Sequence, residues 1–131
     1  MKEPGAGAKR ILVVEDEPAI CDLCRRVLSG EGFEVDIAVN GKVAQDMIEK
    51  QQYDLYLFDI KLPLMNGREL YGWLKEEHPK QIIKVIFTSG SVMSEDTGTF
   101  IEQSGRPFLP KPFTPHELKA IVIETMKEVG K

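Results

Sequence analysis

Five residues carry functional groups that their apolar surroundings do not explain. Glu15 and Asp16 follow the run "ILVV", Asp59 ends the run "LYLF", Thr88 follows "VIF", and Lys111 lies in "FLPKPF". Brought together, the carboxylates would repel, by ~4 kcal/mol for unit charges about 4 Å apart at an effective dielectric near 20. Unpaired, such a cluster raises the pKa of one member. A divalent cation removes the repulsion. An all-oxygen set with no Cys or His suits Mg²⁺ or Mn²⁺ and argues against zinc. Lys111 adds a fixed positive charge and Thr88 a short hydroxyl. A carboxylate nucleophile beside cations that meet the transferring oxygens is equipped for phosphoryl transfer, and its product is an aspartyl phosphate. Taken singly, Glu15 and Asp16 would serve as helix caps, Asp59 as a turn residue, Thr88 as a strand end and Lys111 as a surface charge. Their joint position after strands is what carries the reading.

The elements that must position them are legible. Five apolar runs alternate with five helical patterns: Ile11–Val14, Glu34–Val39, Leu55–Phe58, Ile82–Phe87 and the pair Phe108 and Leu109. The first, third and fourth are nearly continuous in apolar residues, as in central parallel strands covered on both faces. The second alternates and the fifth is short, which fits the two edges. Pro18 suits the first turn of helix one. Asn40 and Asn66 are caps for helices two and three, and "TPHE" from Thr114 is a capping box for helix five. Inward faces are expected at Val43, Ala44, Met47 and Ile48; at Leu70, Trp73 and Leu74; and at Leu118, Ile121, Val122, Met126 and Val129. Pro79 stops helix three. Helix four, "SEDTGTFIEQSG", is weak, since Gly98 alone costs ~1 kcal/mol against Ala, and is expected to be the most mobile. Strand–helix alternation implies an α/β fold with helices on both faces of a parallel sheet, a three-layer (βα)5 sandwich of flavodoxin-like order 2-1-3-4-5. Ligands of such sheets bind at the carboxyl ends of the strands, near the switch point between strands one and three.

Composition limits the alternatives. The 131 residues suit one domain, expected over 9–131 behind a Gly/Pro lead-in over 1–8. A net charge of −4 without a basic cluster argues against direct nucleic-acid contact. No apolar run approaches the ~18 residues of a membrane span, and the N-terminus lacks the apolar core of a signal peptide, so a cytoplasmic location is expected. Cys21 and Cys24 have C-x-x-C spacing, but Cys24 shares a helical face with Ile20, Val27 and Leu28, so both are read as core residues. His78 and His116 are read as surface residues.

With these residues in place, the chain resembles the receiver domain of two-component response regulators over about residues 9 to 130. "ILVVEDEP" matches the acidic loop, "DLYLFDIKLPLMNG" the phosphoacceptor strand and its loop, "VIFTSG" the switch hydroxyl and "FLPKPF" the lysine. The resemblance implies roles. Asp59 is the phosphoacceptor and a metal ligand, Asp16 a direct metal ligand, Glu15 a ligand through water, and Lys61 a ligand through its backbone carbonyl. Thr88 and Lys111 contact the phosphoryl group, and Phe108 is the switch aromatic. The first acid is Glu where the family more often has Asp. The resemblance also suggests a cis Lys111–Pro112 bond. It implies a phosphohistidine donor, either a histidine kinase or a phosphotransfer domain, and a responsive face made by helix four, strand five and helix five. A weak homodimer through that face is a further option. No catalysis is expected of this chain beyond its own phosphorylation and dephosphorylation. "SGRPFLPKPFTPHEL" looks like the terminal receivers of hybrid sensor histidine kinases, and a stand-alone single-domain regulator is the second option.

Three rivals are weaker. An aspartate-nucleophile phosphatase of the haloacid dehalogenase type would carry D-x-D after its first strand, whereas "DIK" follows the third. A flavodoxin-like FMN protein needs a Ser/Thr/Gly-rich first loop, and "EDEP" is acidic. A dinucleotide fold fails because "GAG" precedes the first strand.

Overall fold

A computed structural model describes residues 7–90 and 94–131. Residues 1–6 of the expected lead-in lie outside the described residues. The chain runs β1 (Arg10–Val14), α1 (Pro18–Gly30), β2 (Glu34–Ala38), α2 (Gly41–Lys50), β3 (Leu55–Asp59), α3 (Gly67–Glu77), a 3-10 helix (Pro79–Lys84), β4 (Val85–Ser89), α4 (Glu95–Ser104), β5 (Phe108–Pro110) and α5 (Pro115–Val129). All strand pairs are parallel, in the order β2-β1-β3-β4-β5. This is the expected flavodoxin-like arrangement. No helix among the described residues is long and apolar enough to cross a membrane.

Alternation along the strands builds two cores. Ile11, Val13, Leu55, Leu57 and Ile86 face one side, against Cys24 and Leu28 of α1 and Leu118 and Val122 of α5. Leu12, Val14, Tyr56, Phe58, Val85 and Phe87 face the other, against Ala44 and Ile48 of α2, Leu70, Tyr71 and Leu74 of α3 and Ile101 of α4. β2 is only half-buried along most of its length, as an edge strand should be. Both cysteines are free and buried. Burial pushes the Cys24 thiol up to about 12, which fits a core role.

Each expected cap forms. Asn40 accepts from Val43 N–H, and Asn66 with Glu69 and Thr114 with Glu117 make capping boxes. α4 is tied down by rings rather than by a broad apolar stripe. Only Ile101 is buried in it. Arg68 of α3 donates to Asp96 at 2.9 Å and stacks 4.8 Å from the Phe100 ring centroid, and Phe100 meets Tyr71 and Phe87 edge-on.

Some boundaries and faces differ from the sequence expectation. Ile82, Ile83 and Lys84 belong to the 3-10 helix, and β4 starts at Val85. Arg106 captures the carbonyls of Ile83 and Val85, and Lys84 Nζ reaches the Tyr53 carbonyl, so this stretch is held by side chains instead of a strand ladder. Val43 is exposed and Trp73 only partly buried, while Tyr71 takes the inward place on α3. Thr125, unforeseen, is buried on α5. His116 is exposed. His78 is partly covered, 3.2 Å from Glu49 and edge-on to Trp73.

Candidate functional site

Strand register sets the level of the site. Asp59 on β3 stands opposite Thr88 on β4, and Thr88 opposite Leu109 on β5. Asp59 continues the alternate row of Leu55 and Leu57, so it stays on one side of a rigid, fully buried strand. Gly67 makes this possible. A Cβ there would collide with the main-chain oxygen of Asp59, so only glycine lets α3 start against the end of β3.

Lys111 gathers the carboxylates. Its ammonium lies 2.6 Å from Glu15 Oε1, 2.9 Å from Asp59 Oδ2 and 3.4 Å from Glu17 Oε1. The backbone of Lys111 is fixed by its N–H to the Ser89 carbonyl, and Lys111–Pro112 is cis. Gly90 leaves room for the lysine's aliphatic stem. Asp59 Oδ1 accepts from Lys61 N–H at 3.1 Å, so both of its oxygens are engaged. Glu15 Oε2 accepts from the N–H groups of Asp16 and Glu17. Glu15 Oε1 is buried and has no partner at hydrogen-bond angles; its contact with Lys111 is ionic.

Glu15, Asp59 and Thr88 are almost wholly buried, whereas Asp16 is exposed. Burial pushes the Glu15 carboxyl up to about 7, against the Lys111 contact and the Glu17 N–H, and the charge of Asp59 adds to the rise. Burial would lower the Lys111 ammonium, but Glu15 and Asp59 outweigh it and hold it above its ordinary value. Lysine therefore stays charged among acids that outnumber it.

Glu15, Asp16 and Asp59 each place a carboxylate oxygen within 4.8 Å of the others. Hard oxygen donors and an excess of negative charge over the single Lys111 ammonium fit an octahedral divalent cation. Asp16, Glu17, Asp59, Lys61, Gly90 and Lys111 line the open cleft above.

Over residues 11–123 the chain matches the response regulator receiver domain. The chain belongs to this family.

Known receivers repeat both the fold and the length of the matched region. The receiver domain protein (CheY-like) of Methanospirillum hungatei JF-1 superposes with a TM-score of 0.86 at 34% identity, covering 95% of this chain and 98% of that one. The receiver domain of the sensor histidine kinase PA1611 of Pseudomonas aeruginosa PAO1, whose structure holds a magnesium ion in the active-site cleft, gives 0.81 at 25% identity, covering 92% and 99%. The probable transcriptional regulator ycf29 of Pyropia yezoensis is 33% identical over 113 residues, 86% of this chain and 51% of that protein. This receiver thus spans about half the length of that curated relative.

Of the residues singled out in the sequence, this receiver brings Glu15, Asp16, Asp59, the Lys61 N–H and Lys111 together. Thr88 is beside Asp59 in register, but its hydroxyl donates to the Leu109 carbonyl at 2.6 Å. Phe108 stands apart, half-buried opposite Phe87 and against the core under α2, α3 and α4. Glu17 was not placed in the site by sequence; its only signal was being the third acid of "EDE".

Proposed function

We propose that this receiver accepts a phosphoryl group from a phosphohistidine onto Asp59. The carrying observation is that a nearly buried Asp59 ends the central strand with Lys111 2.9 Å from Oδ2 and the oxygens of Glu15 and Asp16 alongside. Asp59 attacks phosphorus in line, the phosphorus–nitrogen bond of the donor breaks, and the imidazole leaves with its electron pair and is protonated by solvent. Lys111 turns from carboxylate to phosphoryl oxygen and neutralises the charge gained there. Asp16, Asp59 and the Lys61 carbonyl would hold Mg²⁺ or Mn²⁺, with Glu15 acting through water. Such an ion supplies positive charge against the phosphoryl oxygens.

The product adds about −1.5 to −2 charges at the end of β3. Thr88 then exchanges the Leu109 carbonyl for a phosphoryl oxygen, and Phe108 follows into the space Thr88 leaves. The face of α4, β5 and α5 repacks as a shift between two populated states. The register of Asp59, Thr88 and Leu109 supports this route. Incubation with acetyl phosphate and Mg²⁺ should add one phosphoryl mass to the wild type and none to Asp59→Ala. A phosphorylated Asp59→Ala protein would sink the assignment.

For context we favour a receiver module of a hybrid sensor histidine kinase in the cytoplasm, over a single-domain regulator. The likeness to the kinase receiver of Pseudomonas supports the first; the match to a transcriptional regulator twice as long pulls towards a third arrangement. The length of the native gene product discriminates among them.

A further inference from the structure

Arg68 stands where a cation does its own helix no good. It is the second residue of α3, in the first turn, where the helix dipole favours acids. Its side chain is directed at α4 instead. Nη1 donates to Asp96 Oδ2 at 2.9 Å, and the guanidinium carbon lies 4.8 Å from the centroid of the Phe100 ring. Asp96 and Phe100 are four residues apart, so they share one side of α4. Tyr71, three residues after Arg68, meets the same ring edge-on at 5.7 Å. Phe100 is also edge-on to Phe87 at 5.5 Å, and Phe87 immediately precedes Thr88 on β4. On its other side Arg68 follows Gly67, which lies against the main-chain oxygen of Asp59. One side chain thus joins the acceptor end of β3 to the first turns of α4.

Little else holds α4. Ile101 is its one buried residue, and Thr97, Gly98 and Thr99 give it poor intrinsic helicity. An exposed ion pair counts for little on a well-anchored helix. Here the pair and a cation–π contact come from the same side chain and are a large share of what fixes the helix in place. We propose that Arg68 is a positioning residue that latches α4 in the place it takes while Asp59 carries no phosphoryl group, and that the latch opens when the face of α4, β5 and α5 repacks. The proposal rests on Asp59 being the acceptor and on that repacking, and adds a restraint that Thr88 and Phe108 do not supply. Phe87 is the link. It touches Phe100 and stands opposite Phe108 in register, so a shift of Phe108 disturbs the rings that Arg68 covers. A contact made only in the resting state opposes the switch. Removing it must strengthen the binding of any ligand that selects the switched state.

The test uses Arg68→Met, which keeps an aliphatic stem, Asp96→Asn, and the double variant. Without ligand, amide hydrogen exchange along α4 should speed up about threefold in either single variant, with no further gain in the double variant. Beryllofluoride, which mimics a phosphoryl group on a carboxylate, then reads the switch in the presence of Mg²⁺. Its affinity should rise about three- to fivefold in both single variants. The two substitutions change charge in opposite directions, so a plain Coulomb effect on an anionic ligand would weaken binding in Arg68→Met and strengthen it in Asp96→Asn. Opposite signs therefore overturn the latch. So does unchanged exchange along α4, or additive effects in the double variant. Faster exchange with unchanged beryllofluoride affinity makes Arg68 a stabilising contact only and also overturns it, leaving Asp59 as acceptor. Failure of the wild type to bind beryllofluoride, or equal binding by Asp59→Ala, overturns the acceptor reading and the place of the latch in the switch with it.

Discussion

The Thr88 hydroxyl donates to the main-chain oxygen of Leu109 at 2.6 Å, so a side chain joins β4 to β5 at the level of Asp59. Both partners are buried. Thr88→Val keeps the shape and leaves the Leu109 carbonyl without that donor. It should lower stability by about 1–2 kcal/mol, the cost of a lost hydrogen bond to a buried group. Urea denaturation checks it, with Thr88→Ser expected to retain most of the difference. In phosphorylated samples, Thr88→Val should still gain the phosphoryl mass but show smaller chemical-shift changes over β5 and α5.

Removing Lys111 leaves two buried carboxylates facing each other. Lys111→Met should destabilise the metal-free protein by about 3 kcal/mol, because breaking a buried ion pair from one side strands the other charge. Mg²⁺ should restore more stability to this variant than to the wild type, since it replaces the missing charge. Paired urea curves with and without Mg²⁺ measure both effects.

Glu15 gives stability a pH dependence of definite sign. Its carboxyl is raised from 4.5 to about 7 in the folded chain, so the native state holds the proton more tightly than the unfolded state. That contribution is complete below about 4.5 and is lost as pH rises through about 7. Without divalent cation, Glu15 should therefore make stability fall between pH 5 and 7.5 on the scale set by those pKa values. Cation binding needs the ionised carboxylate, so Mg²⁺ affinity should rise with pH over the same window and release a proton on binding. Denaturation midpoints and calorimetry in buffers of different ionisation enthalpy check this. Glu15→Gln should flatten the metal-free slope.

Two glycines that look alike in sequence should behave oppositely. Gly67→Ala drives a methyl into the Asp59 carbonyl and should cost about 1–3 kcal/mol. Gly98→Ala, on a helix position with nothing nearby, should stabilise α4 by up to about 1 kcal/mol. Melting temperatures shifted in opposite directions would bear this out.

Much of this protein was legible because each signal was local. Asn40, Asn66 and Thr114 cap from the position next to the helix they start. The apolar runs that end in Glu15, Asp59 and Thr88 marked where the polar groups had to gather. The stretch Ile82–Lys84 is apolar enough for a strand, yet Arg106, more than twenty residues away, holds the carbonyl of Ile83 within it and that of Val85 where β4 begins. Tyr71 and Trp73 differ by two positions on α3. Which of them turns inward depends on rings from β4 and α4 that meet Tyr71.

By itself the sequence determined the order of elements, the parallel sheet and the end of it at which charge collects, because periodicity and capping are properties of neighbouring residues. Tertiary structure alone decided that Lys111 faces Glu15 as closely as Asp59, that Glu17 reaches the same ammonium, that Thr88 points at Leu109, and that Leu64 stands in solvent on a left-handed backbone. Those are contacts between segments far apart in the chain, or a local conformation that Leu does not favour. Neither leaves a pattern among adjacent residues.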